Sequence, residues 1–326
     1  MPEHWNRREF VTAVAAGLVA SDPFHADAAA APQQPDSSGA PLPARLGYPA
    51  DARLLIVNLD DLGLLHSVDA AAFDIFEKGV IASGSLMPPC PWFPEAADFA
   101  RTHPALDLGL HFTFTSERPG YRWGPVLGPS AVPSLVDADG CFPTTWDNTR
   151  HVNLAELGAE MRAQFDRALR FGFAPTHLDS HEHCLQWHGE AVFALLIQLA
   201  QEHKLPVRVG RNWVPEHPYL VNIIRRGGVV LNRTITVPAD TAPERWTPWY
   251  AETIRTIGPG VTELFAHPAY DDGEMRAFSP TRFSYGSAWR QRDYDALTSP
   301  EVQGALTTSG VKLIRWTDLG SLVSGS

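Results

Sequence analysis

The feature that most restricts this chain is Leu54-Leu-Ile-Val-Asn58, a continuous apolar run that breaks directly into Leu59-Asp60-Asp61. A run without polar alternation is what a strand buried on both faces requires, and such strands belong to parallel sheets covered by helices. Comparable runs recur at 108–114, 176–179, 207–209, 263–266 and 312–316. Helical patterns lie between them. The clearest has Asn153 as N-cap, Glu156 three residues on as its capping-box partner, Leu154, Leu157, Met161, Phe165 and Leu169 on one face, and Gly172 as its stop. A second covers about 189–203. The alternation predicts an α/β fold of β/α units around a parallel sheet. Three long segments, 116–148, 211–250 and 270–292, fit neither pattern and are rich in Pro, Gly and aromatic residues, so they read as functional loops. Their indole faces suit the C–H face of a sugar ring, and ordinary core packing accounts for any one of them equally well.

Polar residues collect at the C-terminal ends of these runs: Asp60 and Asp61, His111, His177, Asp179, His181, His183 and His267. Active sites of (β/α) barrels are built on that face. Adjacent carboxylates at the end of a buried strand repel each other unless positive charge lies beside them, and a divalent metal would supply it. Imidazoles with a carboxylate form a ligand set suited to Zn or another transition metal, with an open position for a hydrolytic water. In an extended strand Asp60 and Asp61 would point to opposite sides, which predicts different tasks for them. Arg208 is placed either to orient an aspartate or at the surface.

With 326 residues, 44% of them apolar, the chain can bury a large core, and one catalytic domain is expected. The formal charge of -11 argues against a nucleic-acid partner or an anionic membrane. At the N-terminus Arg7-Arg8, an apolar run over 11–20 and small residues at 28–31 describe an export signal of the twin-arginine kind over 1–31, too short to serve as a stable membrane anchor. The protein is therefore expected to be periplasmic or secreted. A Pro-, Ser- and Gln-rich linker over 32–45 follows, and the folded domain begins near Leu46. The cysteines, Cys90, Cys141 and Cys184, are odd in number and define no disulfide framework; Cys184 reads as a small buried side chain. The oligomeric state is not encoded, and a homodimer is left open.

Leu54-Leu-Ile-Val-Asn-Leu-Asp-Asp-Leu-Gly63, Gly109-Leu-His-Phe-Thr113, Pro175-Thr-His-Leu-Asp-Ser-His181 and Ala266-His-Pro-Ala-Tyr270 resemble, in order, the successive motifs of the YdjC-type (ChbG/HpnK) carbohydrate deacetylases. The resemblance spans roughly 54–318. It implies a distorted (β/α) barrel like that of the polysaccharide deacetylases, a divalent metal ion such as Zn2+ or Mg2+, and removal of N-acetyl groups from a small carbohydrate such as a chitooligosaccharide. On that pattern Asp61, His111 and His181 match the metal ligands, Asp60 the catalytic base and His267 the acid. Leu62 stands where the family usually has Phe, and Glu182, Cys184 and Leu185 interrupt what is usually a longer histidine run.

The chemistry expected of such a site is hydrolytic: the metal activates a water and polarises the amide carbonyl, Asp60 takes a proton, and His267, with an ordinary pKa near working pH, returns one to the departing amine. Two other readings use the same residues. One is a metallohydrolase of another ester or amide; the other is a non-catalytic periplasmic sugar-binding protein, which would have no need of a base beside its ligand.

Overall fold

In the computed structural model, which describes residues 40–146, 151–225, 229–279 and 284–323, the run at 54–58 lies within β1, Arg53–Leu62, and every residue of that strand after Arg53 is buried. The other strands are β2 (Ser83–Leu86), β3 (Asp107–Phe112), β4 (Leu178–Ser180), β5 (Arg233–Ile235), β6 (Gly260–Ala266) and β7 (Lys312–Leu313). They form one parallel sheet in the order β4-β3-β2-β1-β6-β5. One edge of β1 pairs with β6 throughout Arg53–Leu59. The other edge meets β7 at Leu54 and Leu55 and then β2 from Asn58 onward.

The two outer strands are joined by a thin seam. Val207 bridges Leu178 and Gly210 bridges Leu231, both in parallel sense. Leu178 N donates to Pro206 O at 3.0 Å, Arg208 N to Leu178 O at 2.9 Å and Leu231 N to Val209 O at 2.8 Å. The expected strand at 207–209 thus survives only as this seam. It closes the sheet into the distorted barrel that the sequence resemblance implies.

Alternation along β1 sorts its side chains. Leu54 and Ile56 pack with Leu231, Val261, Ile314 and Trp316 in a small apolar cluster, and the same parity continues to Asn58 and Asp60. Leu55, Val57 and Leu59 point the other way into the main core beneath the helices. The barrel interior is therefore apolar at its base and charged toward the C-terminal ends of the strands, where burial is justified only by pairing.

The helices are α1 (Leu42–Arg45), α2 (His66–Glu77), α3 (Phe93–Thr102), α4 (Leu154–Arg170), α5 (Glu190–His203), α6 (Val221–Arg225), α7 (Trp246–Thr256), α8 (Gly273–Phe278), α9 (Ser287–Thr298), α10 (Pro300–Thr308) and α11 (Trp316–Val323). The turn α1 falls inside the expected linker, and its Leu42 is buried in the small cluster, so packing begins before Leu46. The expected export signal lies outside the described residues. Asn153 caps α4, its side chain accepting from Ala155 N and Glu156 N. The capping box is not formed, because Glu156 accepts from Ser134 N at 2.8 Å instead. Leu154 and Leu169 are exposed, and the buried stripe runs through Leu157, Met161, Phe165 and Ala168. The three long segments are less irregular than expected: the second contains α6, β5 and the start of α7, and the third contains α8 and the start of α9.

Candidate active site

The site forms where β1, β3, β4 and the seam end. At Asp61 the backbone leaves the extended region, with φ at 70°, and the β1–β2 register shifts between Leu59 and Leu62. Asp60 and Asp61 therefore do not point to opposite sides as an extended strand would demand. Asp61 Oδ1 lies 3.3 Å from His111 Nε2 and 3.0 Å from His181 Nδ1, and an Asp60 oxygen lies within 4.8 Å of donor atoms of both His111 and Asp179. A left-handed non-glycine residue is uncommon and strained, and Asp is among the few residues that accept it. Glu182 and His183, just past His181, are also left-handed, at φ 51° and 50°.

Each of these groups is anchored. His111 Nδ1 is 2.8 Å from Asp179 Oδ1, and Ser85 Oγ donates to Asp179 Oδ2 at 2.9 Å. His181 Nε2 is 3.3 Å from Glu117 Oε2. Arg208, fully buried, donates through Nη1 and Nη2 to the two oxygens of Asp60 at 2.7 Å each. Its guanidinium also lies 2.9 Å from Asp179 Oδ2 and 2.8 Å from Glu263 Oε1. Of its two expected placements, Arg208 takes the inner one. Arg290, on α9, donates to Asp61 Oδ2 at 2.6 Å. Gly109 is required by the close approach of β3 to the next layer, since a Cβ there would lie 2.4 Å from the His177 ring, which itself stacks on Trp316 at 4.8 Å.

Electrostatics follow from this geometry. Burial opposes the charge of Asp60, but Arg208 holds its carboxyl below the ordinary value. Asp61 is held further down, against burial, by Arg290 and the two imidazoles. His111 is raised to about 9 although burial works the other way, because Asp179 and Asp61 favour its proton. His181 is raised well above the ordinary value against the same opposition, by Glu117 and Asp61. The carboxylates around both rings thus favour positive charge at the place that a cation suits.

His267 lies at the end of β6, with Nε2 3.9 Å from Asp60 Oδ2. Its backbone N–H donates to Asp293, which also accepts from Trp246 Nε1 and Tyr250 OH. Burial lowers its pKa to about 4, not the near-neutral value expected of a free histidine. His183 is not among the converging donors of the described residues. Its ring is packed against Trp187, Trp213 and Phe265 at 4.4, 4.9 and 5.5 Å. Cys184 is buried, as a small core side chain would be.

Asp61, His111 and His181 form the first group of donors within 4.8 Å of one another, all buried. Two imidazole nitrogens and a carboxylate, with a carboxylate on the far nitrogen of each ring, fit a divalent metal. The structure brings Asp60, Asp61, His111, His181 and His267, all expected from the sequence, into one neighbourhood. Sequence reasoning missed Glu117, Ser85, Glu263, Arg290 and Asp293. Glu117 and Arg290 lie in the aromatic-rich segments beside other polar residues, Ser116 and Arg118 for one and Gln291 and Arg292 for the other, so nothing in the local pattern singles them out.

Fold and site together define a closed α/β barrel with a metal-competent Asp/His centre at the C-terminal ends of its strands. The family model described as YdjC-like protein matches residues 54–308, and the chain belongs to the YdjC-like family. It is 31% identical over 275 residues to the carbohydrate deacetylase of Geobacillus stearothermophilus, covering 83% of this chain and 99% of that one. It is 28% identical over 287 residues to a chitooligosaccharide deacetylase of Yersinia enterocolitica, covering 82% and 99%. Among solved structures, an Enterococcus faecalis protein described as a candidate for cellobiose-phosphate cleavage superposes with a TM-score of 0.68 at 27% identity, covering 82% of this chain and 99% of that one.

Proposed function

We propose that this protein is a metal-dependent hydrolase that removes N-acetyl groups from a small carbohydrate of the chitooligosaccharide kind. In this reading Asp61, His111 and His181 hold one divalent ion, Zn2+ or Mg2+, and Asp60 and His267 move protons. The observation that carries it is the setting of Asp60: a carboxylate clamped by Arg208, 3.9 Å from His267, and beside three converging metal donors. The deacetylase names of the relatives support the substrate class.

When bound, the ion polarises the acetamide carbonyl and acidifies the attacking water. Asp60, ionised because Arg208 holds its pKa down, takes the water's proton as the oxygen bonds to the carbonyl carbon. A base of low pKa holds that proton only briefly. His267, whose imidazole is neutral because of burial, is positioned to receive it and to deliver it to the amine nitrogen as the C–N bond breaks. The products are acetate and the free amino sugar. The proton that His267 supplies is then the one that left the water and not one stored at rest.

Incubation of the purified protein with N-acetylglucosamine oligomers should release acetate and free amine in equal amounts. Release of acetate from acetyl esters alone would move the protein to the ester-hydrolase reading. We further propose export, supported by Arg7-Arg8 and the small-residue run that follows. Arg7→Lys with Arg8→Lys should retain the protein in the cytoplasm; unchanged fractionation would contradict this. Among the described residues no helix is long and apolar enough to cross a membrane.

A further inference from the structure

The two histidines at the centre are built alike in a way that assigns a task to Glu117. Each ring directs one nitrogen at Asp61 Oδ1, His111 through Nε2 at 3.3 Å and His181 through Nδ1 at 3.0 Å. Each rests its other nitrogen on a separate carboxylate: His111 on Asp179 at 2.8 Å, and His181 on Glu117 at 3.3 Å. The side chains of His181 and Glu117 are only 8% and 6% exposed, so bulk water does not compete for that proton. An imidazole that ligates through one nitrogen must carry its proton on the other, and a dry site must supply the acceptor. The backbone after His181 is left-handed at Glu182 and His183, and this turn alone does not define the ring's orientation.

We propose that Glu117 is a positioning residue: it accepts the Nε2 proton of His181, fixing the tautomer in which Nδ1 presents its lone pair beside Asp61 Oδ1 and His111 Nε2. The proposal rests on the metal reading given above, but not on the substrate. Asp179 performs the corresponding task for His111, so the centre has one carboxylate that ligates and two that orient. Glu117, His181 and the exposed Glu182 also form a set of mutually close donors. Nε2 is the His181 nitrogen at 3.3 Å from Glu117, and a set that used its lone pair would need the opposite tautomer. The two arrangements are therefore exclusive for one ring.

The test is the Zn2+ dissociation constant of the full chain, measured by competition with a chromophoric chelator, for wild type, Glu117→Gln and Glu117→Ala. The alanine variant should bind one ion per chain about 10–100-fold more weakly, the usual cost of losing such an outer partner. The glutamine variant, whose amide oxygen still accepts from Nε2, should recover most of that loss. Thermal unfolding of the metal-free variants serves as the folding check, and the glutamine variant preserves the side-chain volume. Alanine affinity equal to wild type would overturn the proposal. So would a glutamine variant as weak as alanine, because that result would make Glu117 itself a ligand. Neither readout uses a sugar, so failure of the deacetylase reading would be seen separately, as intact metal binding without acetate release.

Discussion

At Asp61 the chain accepts a left-handed backbone, φ 70°, one residue before the end of the buried strand β1. That conformation brings two adjacent carboxylates to His111, with His181 beside Asp61 and His267 beside Asp60, and gives each its own cation, Arg208 for Asp60 and Arg290 for Asp61. Asparagine tolerates the left-handed region as well as aspartate does, so Asp61→Asn is a chemical change without a backbone one. It should lose the metal and with it the activity. Asp60→Asn should keep the metal and lose on the order of 10²–10⁴ in kcat, the usual contribution of general acid–base catalysis. Metal content and kcat of the two variants check this, and a metal-free Asp60→Asn beside a metal-loaded Asp61→Asn would reverse the roles.

The histidines add a pH dependence of definite sign. With His111 raised to about 9, a cation must expel a proton to bind at neutral pH, so metal affinity should strengthen as pH rises toward 9 and weaken as it falls. The same shift has a stability sign. The folded pKa lies above the unfolded value near 6.5, so the proton's stabilisation of the metal-free fold is complete below about 6.5 and is lost as pH rises through about 9. Chelator competition at several pH values measures the first effect; an affinity unchanged between pH 6 and 8 would contradict it.

At the scale of elements, the barrel depends on how closely its strands carry side chains into one interior. Gly109 marks one such approach: a Cβ would collide with a His177 ring that Trp316 already covers. Gly109→Ala should cost about 1–3 kcal/mol, as overpacking does, and should weaken metal binding by shifting His111 two residues along β3. Denaturant midpoints and metal affinity measure both effects. What was legible beforehand follows the same physics. β1 was readable because a strand buried on both faces leaves an uninterrupted apolar run, and β3 and β6 because shorter apolar stretches, Leu108 to Leu110 and Leu264 to Ala266, lead into a histidine. β2 is Ser-Gly-Ser-Leu and β5 is Arg-Thr-Ile, too short and too polar to stand out, since they are defined by neighbours and not by their own propensity. The capping box failed because Glu156 found a tertiary donor in Ser134. Asp60, Asp61, His111, His181 and His267 were legible at run ends. Glu117 and Arg290 were not, because they reach the site across 64 and 229 residues of chain from segments with no periodic pattern.

For the whole molecule, a single ion held by Asp61, His111 and His181 would couple folding to binding. A ligand that binds only the folded state at a hundred times its dissociation constant contributes about 2.7 kcal/mol. For a domain of this size that corresponds to a melting temperature about 5 °C higher than that of the stripped protein. Catalysis should follow the same occupancy. The most direct test of the central claim is therefore the rate of acetate release from N-acetylglucosamine oligomers as metal-stripped protein is reloaded with Zn2+ or Mg2+. The account predicts no release from the stripped protein and a rate that rises in proportion to bound metal up to one ion per chain, with no such rise in Asp61→Asn. Full activity in the stripped protein, or activity that Asp61→Asn retains, would contradict it.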